Sequence, residues 1–134
     1  MTPRSLMVTS AAVLGAAGLA LLFAPLELQR LVTAAEPPPV PAPLLQLGAA
    51  ALLGLAATNW VGRGVTLGGI YGRALVLGNA MHWTVGSLVG LRAALDRPAD
   101  VALWAVAAGC GGFALAFHWL LRRHPGPAAA AAAR

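Results

Sequence analysis

Polar and apolar positions in this chain come in blocks rather than in alternation. Leu6 to Ala24, Leu44 to Gly62, Ala74 to Leu91 and Val101 to Leu121 are four runs without a charged residue. Each approaches the ~20 residues that cross a ~30 Å hydrocarbon core. In lipid a backbone must satisfy its own hydrogen bonds, so runs of this length are read as helices. The expected architecture is all-α: an integral membrane four-helix bundle with spans at 5–24, 43–62, 73–92 and 100–121. Residues 1–123 form one transmembrane domain in this reading, and 124–134 are a low-complexity tail.

Composition agrees. Of 134 residues 59% are hydrophobic and 10% are charged, and the mean hydropathy is +0.76. A soluble domain carries about 25% charged residues. The first run follows Arg4 as a signal peptide would. It is long for one, and Pro25 in "LFAP" stands where cleavage needs small residues, so the run is expected to persist as a span.

The net charge of +5 would suit nucleic acid, but its placement points elsewhere. All nine basic residues are arginines and sit at the ends of the runs. With a cytoplasmic N-terminus, Arg4, Arg63, Arg73, Arg122, Arg123 and Arg134 lie inside, while Arg30, Arg92 and Arg97 lie outside. The asymmetry predicts a multi-pass protein of the inner (plasma) membrane with both termini cytoplasmic. Glu27, Glu36, Asp96 and Asp100 all fall outside.

The connections differ in kind. "PLELQRLVTAAEPPPVPAP" opens with an amphipathic turn or two, Leu26 to Val32, suited to the outer interface. Pro37, Pro38, Pro39, Pro41 and Pro43 then impose a stiff extended strap, and Pro43 also suits the first turn of a helix. In "RAALDRPAD", Pro98 and Asp100 are placed to start the last span. Small residues recur at spacings of four: Ala11 and Gly15; Gly54, Thr58 and Gly62; Gly86 and Gly90; Ala108 and Gly112. In membranes such spacing permits close helix packing, within one chain or between copies. The second and fourth runs also echo each other as A-x-[N/H]-W-x-x-R, at Ala57–Arg63 and Ala116–Arg122. That is compatible with two hairpin repeats or with the ordinary taste of interfaces for Trp and Arg.

The polar residues of the runs gather toward one side. Asn59 and His118 stand about a turn from the inner end. Asn79 and His82 lie ~8 Å and ~12 Å in from theirs. "RGVTLGGIYGR" adds Arg63, Tyr71 and Arg73. Asn79, His82, Trp83, Gly86 and Gly90 follow i, i+3, i+4, i+7, i+11 and are read as one stripe facing the bundle. The candidate ligand-binding residues are therefore Asn59, Arg63, Tyr71, Arg73, Asn79, His82 and His118. Asn and His can equally serve as interhelical glue.

Several chemistries lack their residues. There is no lysine for a Schiff base, no Asp or Glu within a run for proton exchange and no cysteine pair. There is no zinc ligand set. His82 and His118 (~5 Å in) differ too much in depth for bis-histidine haem ligation. An intramembrane enzyme using His82 as acid or base has no paired nucleophile.

"NWVGRGVTLGGIYGRALVLGNAMHW" resembles a family of uncharacterised small bacterial membrane proteins sharing N-W, G-G-I-Y-[G/S]-R and G-N-x-x-H. Here these are Asn59-Trp60, Gly68-Gly69-Ile70-Tyr71-Gly72-Arg73, and Gly78-Asn79 with His82. Ala74 stands where that family often has proline. "LLFAPLEL" is similar to DoxX-like four-helix proteins. The resemblance implies a four-helix bundle in which the second loop matters; it supplies no activity.

The expected function is a non-enzymatic binding or accessory protein. Its polar pocket, open to the cytoplasmic side, would take a lipid, a quinone or a similar amphiphile, or dock a partner subunit. The alternative is a small oligomeric transporter or channel lined by the Asn79/His82 stripe. Membrane lipids, a homo-oligomer or a membrane subunit are the expected partners, with no nucleic acid and no identifiable cofactor.

Overall fold

The structure, a computed structural model, describes residues 2–32, 40–64 and 70–123. The Pro37–Pro39 strap, Gly68, Gly69 and the tail from 124 onward lie outside the described residues. Five helices follow in order: α1 (Pro3–Phe23), α2 (Pro25–Val32), α3 (Ala42–Gly62), α4 (Ile70–Asp96) and α5 (Val101–Arg123). Four of them, all but α2, are long and apolar enough to cross a membrane. The chain is an all-helical, multi-pass membrane bundle.

Local chemistry sets the helix ends. Thr2 caps α1: its hydroxyl accepts from the Ser5 N–H at 3.1 Å, with Pro3 in the first turn. The chain leaves helical geometry at Ala24 and restarts at Pro25 as α2, the amphipathic stretch expected after the first span. Pro43 occupies the first turn of α3, where its missing N–H is not needed. Asp100 starts α5, its carboxylate accepting from the Ala102 N–H at 3.2 Å.

One span is longer than expected. α4 has 27 residues, starting three before 73 and ending four after 92. Ala93, Ala94 and Leu95 are good helix formers, and the helix persists until Pro98 disfavours helical geometry in Arg97. At ~40 Å it exceeds the hydrocarbon core, so its ends reach headgroup depth or the helix tilts.

The bundle is two hairpins. α1 lies along α3 and α4 along α5, while α3–α4 and α1–α5 approach only locally. Small residues make the tight contacts within a hairpin. Gly18 of α1 sits against Leu53 and the Ala49 carbonyl of α3, and Gly90 of α4 against the Ala107 backbone of α5; a Cβ on Gly90 would lie 3.2–3.3 Å from Ala107 atoms. Large residues fill the seam between hairpins: Met7, Leu14, Val76, Trp83, Phe117 and Leu120 are its buried core.

Orientation along the bundle follows from the chain path. One end carries Arg4, Arg63, Arg73, Arg122 and Arg123. The other carries Arg30, Arg92 and Arg97 together with Glu27, Asp96 and Asp100.

Candidate functional site

Two of the candidate polar residues meet in the centre of the seam. Asn59 of α3 and Asn79 of α4 are both fully buried and face each other amide to amide. Asn59 Nδ2 donates to Asn79 Oδ1 at 2.7 Å, and Asn79 Nδ2 donates to Asn59 Oδ1 at 2.6 Å. Each amide has a second proton. That of Asn59 goes to Ser10 Oγ of α1 at 3.0 Å, and that of Asn79 to the Leu75 carbonyl one turn back at 3.0 Å. Ser10 also receives the Trp83 indole N–H at 3.2 Å and directs its own hydroxyl toward Asn79 Oδ1 at 3.5 Å. Trp83 in turn stacks on Phe113 of α5, with centroids 4.4 Å apart. The knot thus takes at least one residue from each spanning helix.

This changes the role of the two asparagines. All four amide protons have partners and neither residue is exposed, so the pair has no donor left for a ligand. Unpaired polar groups cost several kcal/mol in hydrocarbon; a closed set removes that penalty and makes the seam selective for one register.

Ser10 was not among the sequence candidates. A serine in a small-residue helix carries little signal. Its position does: Leu6, Met7, Ser10 and Leu14 share one buried face of α1, so the hydroxyl points where an Asn on another helix can reach it. A buried Trp indole, which needs an acceptor, was the second clue.

His82 is left out of the knot. It is half-buried and its ring lies edge-on to the neighbouring Trp83 at 5.3 Å. The spacing i, i+3, i+4 spans 100° of helix, and the packed centre of α4 lies between Asn79, Val76, Ala80 and Trp83. His82 therefore falls on the flank. Counted along α4, Tyr71, Leu75, Gly78 and His82 recur at i, i+4, i+7, i+11 and share one face. His118 is exposed on α5 and turns its Nδ1 to the Ala114 carbonyl of its own helix, 2.9 Å away. It stands apart from the asparagines despite its matching place in the A-x-[N/H]-W-x-x-R echo.

Both tryptophans of that echo carry an arginine over the ring. Arg63 lies 4.2 Å from the Trp60 ring centre, and Arg123 lies 4.4 Å from Trp119. Arg63 also donates to the Trp60 carbonyl. The aromatic partner on α5 is thus served by Arg123 rather than by Arg122, the residue in the repeat position.

The accessible space is beside the knot. At the arginine-rich end, α3 and α4 part to leave a cleft of about 480 Å³ lined by Ala57, Thr58, Val61, Gly62, Tyr71 and Leu75. Its walls are apolar. Thr58 spends its hydroxyl on the Gly54 carbonyl at 2.8 Å, while Tyr71 is 87% exposed. Gly62 shapes the cleft, because a Cβ there would collide with the Leu75 side chain. A smaller cleft of about 210 Å³ opens at the same end on the opposite seam, between α1 and α5.

Of the seven candidates, the structure brings Asn59 and Asn79 together in the interior. Tyr71 lines the α3–α4 cleft and His82 shares its face of α4. Arg63 and Arg73 stand at the same end, and His118 stands elsewhere. Among the described residues, no three His, Cys, Asp or Glu side chains are grouped to hold a metal ion. Comparison with known proteins finds no matching family model, no matching curated protein and no matching solved structure.

Proposed function

We propose that the protein is a non-enzymatic binding or accessory protein of the plasma (inner) membrane that holds an amphiphile in the α3–α4 cleft. The carrying observation is the cleft itself: about 480 Å³ with apolar walls and an exposed Tyr71 at the end rich in arginine. Apolar walls suit a lipid tail or the body of a quinone, and a few polar groups suffice to orient such a ligand. The Tyr71 hydroxyl is the nearest such group. Arg63 and Arg73 favour an anionic or carbonyl head. His82, on the same face ~16 Å further along α4, is available to a ligand that extends inward. The arginine asymmetry favours a cytoplasmic setting for this end.

The closed state of the knot supports binding over conduction. A pore along the Asn79 stripe would need polar atoms free to exchange partners with a passing solute, and both asparagine amides are fully engaged.

Native mass spectrometry of gently extracted protein tests the reading. The wild-type protein is expected to carry a lipid- or quinone-sized amphiphile in this cleft. Ala57→Trp, which fills the cleft from one wall, loses it, and Tyr71→Ala weakens retention. An empty wild-type protein that conducts solute in liposomes would overturn this reading in favour of transport.

A further inference from the structure

The second cleft lies on the far seam from the proposed ligand site and has a different character. It is formed by the cap residue Thr2 and by Pro3 and Leu6 of α1 with Ala116, Trp119 and Leu120 of α5, and has a volume of about 210 Å³. From the geometry we infer that it is a selective site for one anionic phospholipid, with an acyl chain in the cleft and the phosphate among Arg4, Arg122 and Arg123.

Three features carry the assignment. First, the walls are apolar and the cleft lies at a helix–helix seam, where an acyl chain can leave the bilayer without meeting an unpaired polar group. Thr2 has its hydroxyl committed to Ser5. Second, Trp119, a 46% exposed residue, lines the cleft with the Arg123 guanidinium 4.4 Å from its ring centre. Trp marks headgroup depth in a membrane, so this guanidinium is held at the level of a phosphate. Third, the charge is one-sided. Arg4 is an exposed neighbour of Pro3, and Arg122 and Arg123 close α5 one turn beyond Trp119. Every described carboxylate is at the opposite end of the bundle. An anionic headgroup therefore meets cations without an internal competitor, while a zwitterionic one brings its own positive group into the same field. Arg122 and Arg123 also stabilise the C-terminal end of α5 through its dipole; that role needs no lipid and would leave the headgroup indifferent.

The test is native mass spectrometry of purified protein, stripped of lipid and titrated in detergent with phosphatidylglycerol or with phosphatidylcholine of the same acyl chains. The wild-type protein is expected to retain one phosphatidylglycerol roughly tenfold or more tightly than phosphatidylcholine, as two or three juxtamembrane arginines predict. Arg122→Gln with Arg123→Gln, substitutions at exposed positions, removes the preference. Ala116→Phe removes the lipid held at this site, whichever headgroup it carries, by filling the cleft. Tyr71→Ala leaves it unchanged, which separates this site from the amphiphile of the α3–α4 cleft. Equal retention of the two lipids by the wild-type protein, no retention at all, or a preference that survives the double substitution would overturn the inference.

Discussion

Asn59 and Asn79 exchange hydrogen bonds in both directions, at 2.7 and 2.6 Å, across the seam between the two hairpins. Neither bond is local: one residue belongs to α3 and the other to α4. The pair is therefore a direct measure of how firmly one hairpin is registered on the other.

A double-mutant cycle reads that measure. Replacing Asn79 by Leu leaves the Asn59 amide partly unpaired in the interior, at a cost of about 1–3 kcal/mol. Replacing both residues removes the orphan, so the double variant is less damaged than the sum of the singles. Polar coupling in membranes averages ~0.6 kcal/mol and reaches ~1.7. A reciprocal pair belongs near the upper value, as reversible unfolding in mixed micelles would show. Additive effects would mean that the pair does not act as a unit.

Ser10 takes protons from both Asn59 and Trp83. Ser10→Ala is expected to destabilise by about 1–3 kcal/mol, whereas the same deletion one residue earlier, at the exposed Thr9, stays within ~0.5 kcal/mol. Thermal unfolding followed by circular dichroism distinguishes the two.

Gly90 and Gly109 make a matched comparison on neighbouring helices. A Cβ at Gly90 presses on the Ala107 backbone, and nothing lies within 4 Å of one at Gly109. Gly90→Ala forces α4 from α5 and costs about 1–3 kcal/mol. Gly109→Ala is neutral or raises stability by up to ~1 kcal/mol through helix propensity. Equal melting temperatures would contradict the tight packing of the second hairpin.

His82→Ala should leave stability within ~0.5 kcal/mol of wild type, since the ring belongs to neither the knot nor the buried core. A loss comparable to that of Asn79→Leu, in the same unfolding assay, would place His82 in the interior after all.

At the other end, Asp100→Ala removes the acceptor for the Ala102 N–H and costs about 1 kcal/mol, with Asn or Ser restoring most of it. Hydrogen exchange at the first turn of α5 would locate the effect.

The spans were legible because length is a hard constraint in lipid: each charge-free run became a helix, and even the amphipathic Leu26–Val32 stretch appears within α2. Half of the knot was legible too. An asparagine in a membrane helix needs a partner, and Asn59, Thr58 and Tyr71 were all within the range of choices for Asn79. That His82 and His118 lie outside the knot was not legible, because composition marks a residue as polar without saying which way it points. A flank position differs from a central one by about a third of a helical turn, which only packing against named neighbours decides. Ser10 was hidden for the opposite reason, being too ordinary to stand out before α1 was seen against α3 and α4. The clefts are each lined by residues of two helices from different hairpins, which no single run of residues encodes.

The knot also has a place in time. Ser10 and Asn59 both belong to the first hairpin and are already 3.0 Å apart within it, while Asn79 lies beyond the connection to α4. Chains emerge from the ribosome N-terminal first, so Asn59 and its Ser10 partner are both made before Asn79, and on its own the first hairpin offers Asn59 a partner for one amide proton only. The second hairpin arrives to a half-completed set of bonds that only the correct face of α4 can finish. The seam is thus a receptor made by the first half of the chain for the second.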